Sequence, residues 1–367
     1  MTISVRAFAK INLGLRIGAL REDGFHELLT VYQTIGLHDV IRVSVGRGNG
    51  IEIRCADPRV PKDESNTCYR IAEKAMQALN AKGRVVIEIE KRLPVQGGLG
   101  GASANAVATL LGLERVVKKA LPVEERLRIA AEVGSDLPLF LVGGTGVGVG
   151  RGEEVYPLED LPGTACVVVT PEVGVSTPKA FAEWDRLCGA GTPARETAST
   201  RDASRQVEGS EPAGLRSGQA RKSARPHMSS ADPHAGSGEL TVAGASDRMV
   251  ELGRGLSAWL SKSYSGAPFG RGRAENPLLE LVRAGIKNDF EEVVFPEYPE
   301  LSEGKSALER AGAKYASLSG SGSTLYGLFA SKEAARAAVT RLRRQGWAAE
   351  ATVTLRRNQY WRRIFDC

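Results

Sequence analysis

The residues best suited to chemistry begin with a glycine-rich run, Pro94-Val95-Gln96-Gly97-Gly98-Leu99-Gly100-Gly101-Ala102-Ser103-Ala104-Asn105-Ala106. It follows a strand pattern and opens a helical one. Glycines let the backbone turn where side chains would clash, and they turn amide N–H groups toward a ligand. A helix N-terminus adds unpaired donors and partial positive charge, so the two together make an anion site. A tight strand-to-helix turn with no ligand is the competing reading. GxxxxGK[ST], the HRD and DFG pair, and a GxGxxG with an acid closing the next strand are all absent. Two charged residues also stand out. Lys10 lies inside the apolar run Phe8-Ala9-Lys10-Ile11, where an ammonium is costly to bury unless it is paired or at work. A strand-end lysine with its head in water is the alternative. Asp136 sits between Gly134 and Pro138, before the apolar Leu-Pro-Leu-Phe-Leu stretch. It fits a turn or helix-capping carboxylate, and equally a base within reach of a substrate hydroxyl.

The elements that must position these residues alternate between strand and helix, which makes the chain mixed α and β. Strand patterns run over 3–8, 37–45 and 85–89. Helical patterns run over 68–79, with Asn66 or Thr67 as cap, and over 103–119. Another spans 122–133, with Pro122 at its start, Glu124 and Glu125 in its first turn and Gly134 beyond its end. Helices are expected again at 249–260, through 277–284 and from 305. The order strand 315–319, strand 325–329, helix 332–345, strand 349–354 suits a ferredoxin-like layer. From about Gly189 to Ser246 the chain is rich in Ala, Gly, Ser, Arg and Pro and poor in large aliphatics. Such a stretch buries too little apolar surface to offset its ordering entropy, so 190–246 reads as a low-complexity insertion.

With 367 residues, 42% of them hydrophobic and 25% charged, the chain can build two ordinary domains. No apolar run has membrane-spanning length. Met1 to Arg6 leads into strand-like sequence without a signal-peptide pattern, so a cytoplasmic enzyme is expected. Cys55, Cys68, Cys166, Cys188 and Cys367 form no CxxC pair and read as reduced thiols. The net charge of +6 suits an anionic ligand without distinguishing nucleotide from nucleic acid.

The glycine run resembles the phosphate loop of the GHMP kinases, down to its leading proline and following helix. Three further segments are similar to the branch of that family acting on 4-diphosphocytidyl-2-C-methyl-D-erythritol. They are Ala7-Phe8-Ala9-Lys10-Ile11-Asn12-Leu13, Arg21-Glu22-Asp23-Gly24-Phe25-His26-Glu27-Leu28, and Gly134 to Leu141 with Gly148-Val149-Gly150-Arg151-Gly152 beyond. Leu318-Ser319-Gly320-Ser321-Gly322-Ser323 resembles the family's C-terminal glycine turn. The resemblance implies an α+β GHMP kinase fold. Residues 1–160 would form a ribosomal-protein-S5-domain-2-like ATP-binding domain. Residues 161–367 would form a ferredoxin-like domain interrupted at 190–246, with the active site in the cleft between them.

The same resemblance implies ATP as co-substrate, Mg²⁺ as its companion, and a step of the non-mevalonate isoprenoid pathway. Asp136 becomes the base and Lys10 its electrostatic partner. Pro94 to Asn105 and Asn66 are expected at the nucleotide, and Asn12 near the reacting centre. Phe25, His26 and Phe181 are expected at the cytosine end. A neutral imidazole offers one donor and one acceptor to a pyrimidine edge, and aromatic rings stack on its faces. Phe25 stands where the family has Tyr, and Ala104 where it has Ser. A homoserine- or mevalonate-type kinase is the nearest rival, and a nucleic-acid-binding protein on the same fold a remoter one. The basic residues form no aromatic-interleaved patch, which argues against nucleic acid. No membrane partner is expected, and the chain is expected to be a monomer or weak homodimer.

Overall fold

A computed structural model describes residues 1–188 and 286–365. The helices expected at 249–260 and 277–284, and the insertion at 190–246, lie outside the described residues.

Two long strands carry the fold. β1 (Thr2–Leu20) and β2 (His26–Gly46) pair antiparallel from Thr2 opposite Ser44 to Leu20 opposite His26. They outrun the expected strands at 3–8 and 37–45 because their pairing is irregular. The register shifts between Phe8 and Lys10, between Asn12 and Gly14, and between Ile17 and Leu20. Each shift breaks the two-residue alternation that marks a strand in sequence. β3 (Ile51–Cys55), β4 (Arg84–Glu90), β5 (Thr145–Val149) and β6 (Glu154–Pro157) complete a sheet in the order β3-β4-β2-β5-β6, with β1 against β2. Four helices pack with this sheet: α1 (Thr67–Ala78), α2 (Gly101–Val117), α3 (Val123–Val133) and α4 (Leu137–Val142). Val5, Ile41, Ile71, Ile87, Leu110 and Phe140 are among the residues that build the core between them.

A second sheet runs β10 (Ala349–Val353), β7 (Ala165–Val169), β9 (Leu325–Phe329), β8 (Tyr315–Leu318), antiparallel throughout. It is accompanied by α5 (Thr177–Leu187), α6 (Glu291–Glu297), α7 (Pro299–Arg310) and α8 (Lys332–Arg344). The order β8-β9-α8-β10 follows the sequence reading to within a residue. β7 is an addition. Its run Ala-Cys-Val-Val-Val is buried on both faces and shows no alternation, so period alone does not separate it from a buried helical turn.

The chain then returns to the first sheet. α9 (Arg357–Arg363) seats Tyr360, followed by Ile364, in the core beside Phe8 and Phe140. The Tyr360 hydroxyl donates to the Phe140 carbonyl at 2.7 Å. Among the described residues, no helix is long and apolar enough to cross a membrane.

Candidate active site

The two layers meet at the glycine run. The Lys10 N–H on β1 donates to the Leu99 carbonyl at 3.0 Å, and the Thr324 N–H donates to Gly97 at 3.1 Å. The Ser319 hydroxyl donates to the Gly98 carbonyl at 3.0 Å. The loop is thus held from both sides, at the wall of a cavity of about 900 Å³. Gly98 has φ +76°, and a Cβ there would collide with the Ser319 carbonyl. Glycine is required at this position for both reasons.

α2 begins at Gly101 rather than at Ser103. Its N-cap is Gly100, at φ 68°, with no side chain to accept from the first-turn N–H groups. Those donors are left for a ligand, with the helix dipole behind them. Beneath the loop, Asp39 is fully buried. It accepts from Lys91 Nζ (2.7 Å), Asn105 Nδ2 (2.9 Å) and the backbone N–H groups of Arg92 and Leu93. Pro94 to Ser103 and Asn105 line the cavity. Ala104 does not: it is buried in the first core, so its expected place at the nucleotide is corrected. Helix geometry explains this, since position 104 falls on the side of α2 facing the sheet. Asn66 lines the cavity, but both ends of its amide are used locally. Its Oδ1 accepts from the Cys68 N–H at 2.8 Å as a helix cap, and its Nδ2 donates to the Pro61 carbonyl at 2.6 Å.

Lys10 and Asp136 come together across the cavity. Lys10 is 3% exposed. Its Nζ donates to Asn12 Oδ1 at 2.6 Å and stands 3.5 Å from Asp136 Oδ2. Asn12 is fixed in turn by donating to the Thr30 hydroxyl at 2.8 Å. The strand-end reading of Lys10, with its head in water, is excluded by this burial. Asp136 occupies the N-cap position of α4 but makes no capping bond, so the carboxylate faces the cavity with its helix-capping capacity unused. Its Oδ1 accepts from the Tyr32 hydroxyl at 3.2 Å. Burial, and next the charge of Asp136, push the Tyr32 phenol well above its ordinary range.

Phe25, His26 and Phe181 line the far end of the cavity, in an arrangement the sequence does not disclose. Phe181 stacks on His26 itself, with ring centroids 5.1 Å apart and planes 4° from parallel. Nδ1 of His26 faces the Gly18 carbonyl at 3.2 Å, and Nε2 faces Asp185 Oδ1 at 3.1 Å. The Gly18 carbonyl engages Nδ1, whereas Asp185 Oδ1, though close to Nε2, has no hydrogen-bond partner among the described residues. Phe25 is 52% exposed, and the Arg151 guanidinium lies 4.9 Å from its ring centroid.

Tyr32, Lys91, Arg151 and Asp185 are cavity residues that sequence reasoning leaves without a role. Asp185 follows Phe181 by four residues and so shares its helix face, but an acid on a helix is too ordinary to mark it in sequence. Tyr32 had no signal, because its place opposite Asn12 depends on the shifted register.

The family model for the GHMP kinases N terminal domain matches residues 66–144, and that for the GHMP kinases C terminal matches 274–348. A protein from Solibacter usitatus named 4-diphosphocytidyl-2-C-methyl-D-erythritol kinase is 34% identical, over 90% of this chain and 82% of its own length. One of the same name from a Synechococcus species is also 34% identical, over 95% and 92%. A crystal structure of 4-(cytidine 5'-diphospho)-2C-methyl-D-erythritol kinase superposes with a TM-score of 0.62 at 26% identity, covering 96% of this chain and 98% of that one. A homoserine kinase from Cytophaga hutchinsonii, at 18% identity and a TM-score of 0.60, shares the fold. The order of motifs, the two-layer architecture and the extent of this similarity agree: the chain belongs to the 4-diphosphocytidyl-2-C-methyl-D-erythritol kinase family of the GHMP kinases.

Proposed function

We propose that the chain transfers the γ-phosphoryl group of ATP to the 2-hydroxyl of 4-diphosphocytidyl-2-C-methyl-D-erythritol, a step of the non-mevalonate isoprenoid pathway. Asp136 acts as base and Lys10 as its electrostatic partner. The observation that carries this reading is the Lys10–Asp136 pair, 3.5 Å apart, with Lys10 on a strand whose backbone is bonded to the phosphate loop and Asp136 at the start of α4. Phosphoryl transfer asks a protein for positioning and charge neutralisation more than for covalent work. The hydroxyl oxygen attacks the γ-phosphorus, the bond to the β–γ bridging oxygen breaks, and the hydroxyl proton passes to Asp136. Lys10 offsets the negative charge that develops on the transferring group. The glycine loop and the open first turn of α2 hold the phosphates. Phe25 and the His26–Phe181 stack supply the surface for the cytosine.

Among the described residues no cluster of three His, Cys, Asp or Glu side chains forms a metal site. Oxygens at the cavity wall, the Ser103 hydroxyl among them, would be available to a Mg²⁺ carried by the nucleotide. Such an ion would supply charge neutralisation to the phosphates.

ADP release from ATP-Mg with this substrate tests the reading. Asp136→Ala is expected to lower kcat by about 10³-fold, within the usual range for loss of a proton acceptor. Turnover of homoserine or mevalonate in place of the cytidine compound would refute the substrate, and wild-type turnover by Asp136→Ala would refute the base.

A further inference from the structure

Tyr32 is buried beneath the cavity, yet its hydroxyl reaches the carboxylate assigned as base. Oη stands 3.2 Å from Asp136 Oδ1 and 3.4 Å from the Gly152 carbonyl. The other carboxylate oxygen is the one 3.5 Å from Lys10 Nζ. That same ammonium lies 5.7 Å from the centroid of the Tyr32 ring. The glycine segment beyond α4 is shaped around this phenol. A Cβ on Gly152 would stand 2.6 Å from Oη, and one on Gly148 would overlap Cε2. A phenylalanine would fill the same space for the ring. What the tyrosine adds is a buried hydroxyl, which is costly unless it is hydrogen-bonded.

We infer that Tyr32 is a positioning residue for phosphoryl transfer: by donating to Asp136 Oδ1 it holds the carboxylate with Oδ2 toward Lys10 and the acceptor hydroxyl. The inference rests on Asp136 being the base. Asp136 makes no capping bond to α4, and its side chain is 34% exposed. Without a second anchor the carboxylate can rotate away from Lys10. A donor on the charged form also favours that form. The ionisable groups facing this pair are Lys10 from β1, Tyr32 from β2, and Glu153 from the β5–β6 turn, which is itself paired with Arg151 at 3.1 Å.

Tyr32→Phe keeps the ring and removes the donor. A lost bond to a charged acceptor at this distance is expected to lower kcat about tenfold. The KM values for ATP and for the cytidine substrate are expected to stay within about twofold, since the contact touches neither. The acid limb of the kcat–pH profile is expected to move to higher pH. Wild-type kcat with an unmoved acid limb overturns the inference. So does a raised KM with unchanged kcat, which would make the phenol a substrate contact. Gly148→Ala gives a second reading, because its methyl presses on the ring. It should lower kcat in the Tyr32 background and much less in the Tyr32→Phe background, and equal losses in both count against the proposal. Circular dichroism and ATP-binding calorimetry on each variant separate misfolding from loss of the contact. Asp136→Ala distinguishes the two failures. If it turns over normally, the base assignment falls. If it is inactive while Tyr32→Phe is normal in rate and profile, the positioning role alone falls.

Discussion

At the scale of single residues, the cavity is built from side chains that hold one another. Asp185 lies one helical turn beyond Phe181, and the two grip His26 from its edge and its face. Asp185→Ala removes the carboxylate 3.1 Å from Nε2 of the imidazole. Its KM for the cytidine substrate is expected to rise by up to about fivefold, the scale of a close polar contact without a hydrogen bond, with KM for ATP unchanged. Steady-state kinetics with each substrate varied would check this, and an equal rise in both would count against a local role. Lys10 could be singled out from sequence because a charge inside an apolar run is physically anomalous. Asp185 could not, because an acid on a helix is ordinary. Tyr32 hid for a third reason. Its significance lies in a hydroxyl 3.2 Å from a residue 104 positions away, and no local pattern encodes that distance.

At the scale of elements, the glycine run works because a second glycine turn braces it. The loop over Ser319 to Thr324 supplies the hydroxyl on Gly98 and the N–H on Gly97. Asn288 holds that brace in turn, donating to the carbonyls of Leu318 and Gly320 at 2.9 and 2.7 Å. Gly98→Ala forces a side chain into the left-handed region and onto the Ser319 carbonyl. It is expected to cost about 2 kcal/mol or more of stability and to weaken ATP binding. Gly174→Ala, where an added Cβ meets nothing within 4 Å, is the control and should stay within about 0.5 kcal/mol. Urea unfolding and ATP titration on both proteins test the pair. A Gly98 variant as stable as the control would show that the brace is not needed. α8 was legible because it has a strong helical period, and α2 because the glycine run opens it and Lys118, Lys119 and Pro122 mark its end. The long β1–β2 hairpin was legible only in pieces, since its register shifts erase alternation where Lys10 and Asn12 must turn to the cavity. The wholly buried β7 has no alternation to read.

At the scale of the whole molecule, several acidic protons are kept by burial. Burial lifts the thiols of Cys68 and Cys166 from 9.0 to about 12 and the Tyr315 phenol from 10.0 to about 12, and it raises Tyr32, Tyr326 and Tyr360 as well. Above pH 9 the unfolded chain releases these protons while the folded chain retains them. The unfolded state then binds fewer protons, so stability falls as pH rises. The thermal midpoint is expected to drop progressively between about pH 9 and 11, with no contribution from these groups below that window. Scanning calorimetry across the range decides, and a flat midpoint would mean that the phenols and thiols are more accessible than their burial indicates. The outline of two layers was legible from motif order, whereas the closure of the first by the last helix was not, because Tyr360 and Phe8 lie at opposite ends of the chain. That closure has a consequence for biosynthesis. A ribosome delivers the apolar floor formed by Phe8 and Phe140 long before it delivers Leu355, Tyr360 and Ile364. Throughout translation of the second layer the nascent first layer carries an uncovered apolar patch. It completes its packing only once the last helix has emerged, making the interval of synthesis, rather than the finished fold, the time at which this patch is open to aggregation.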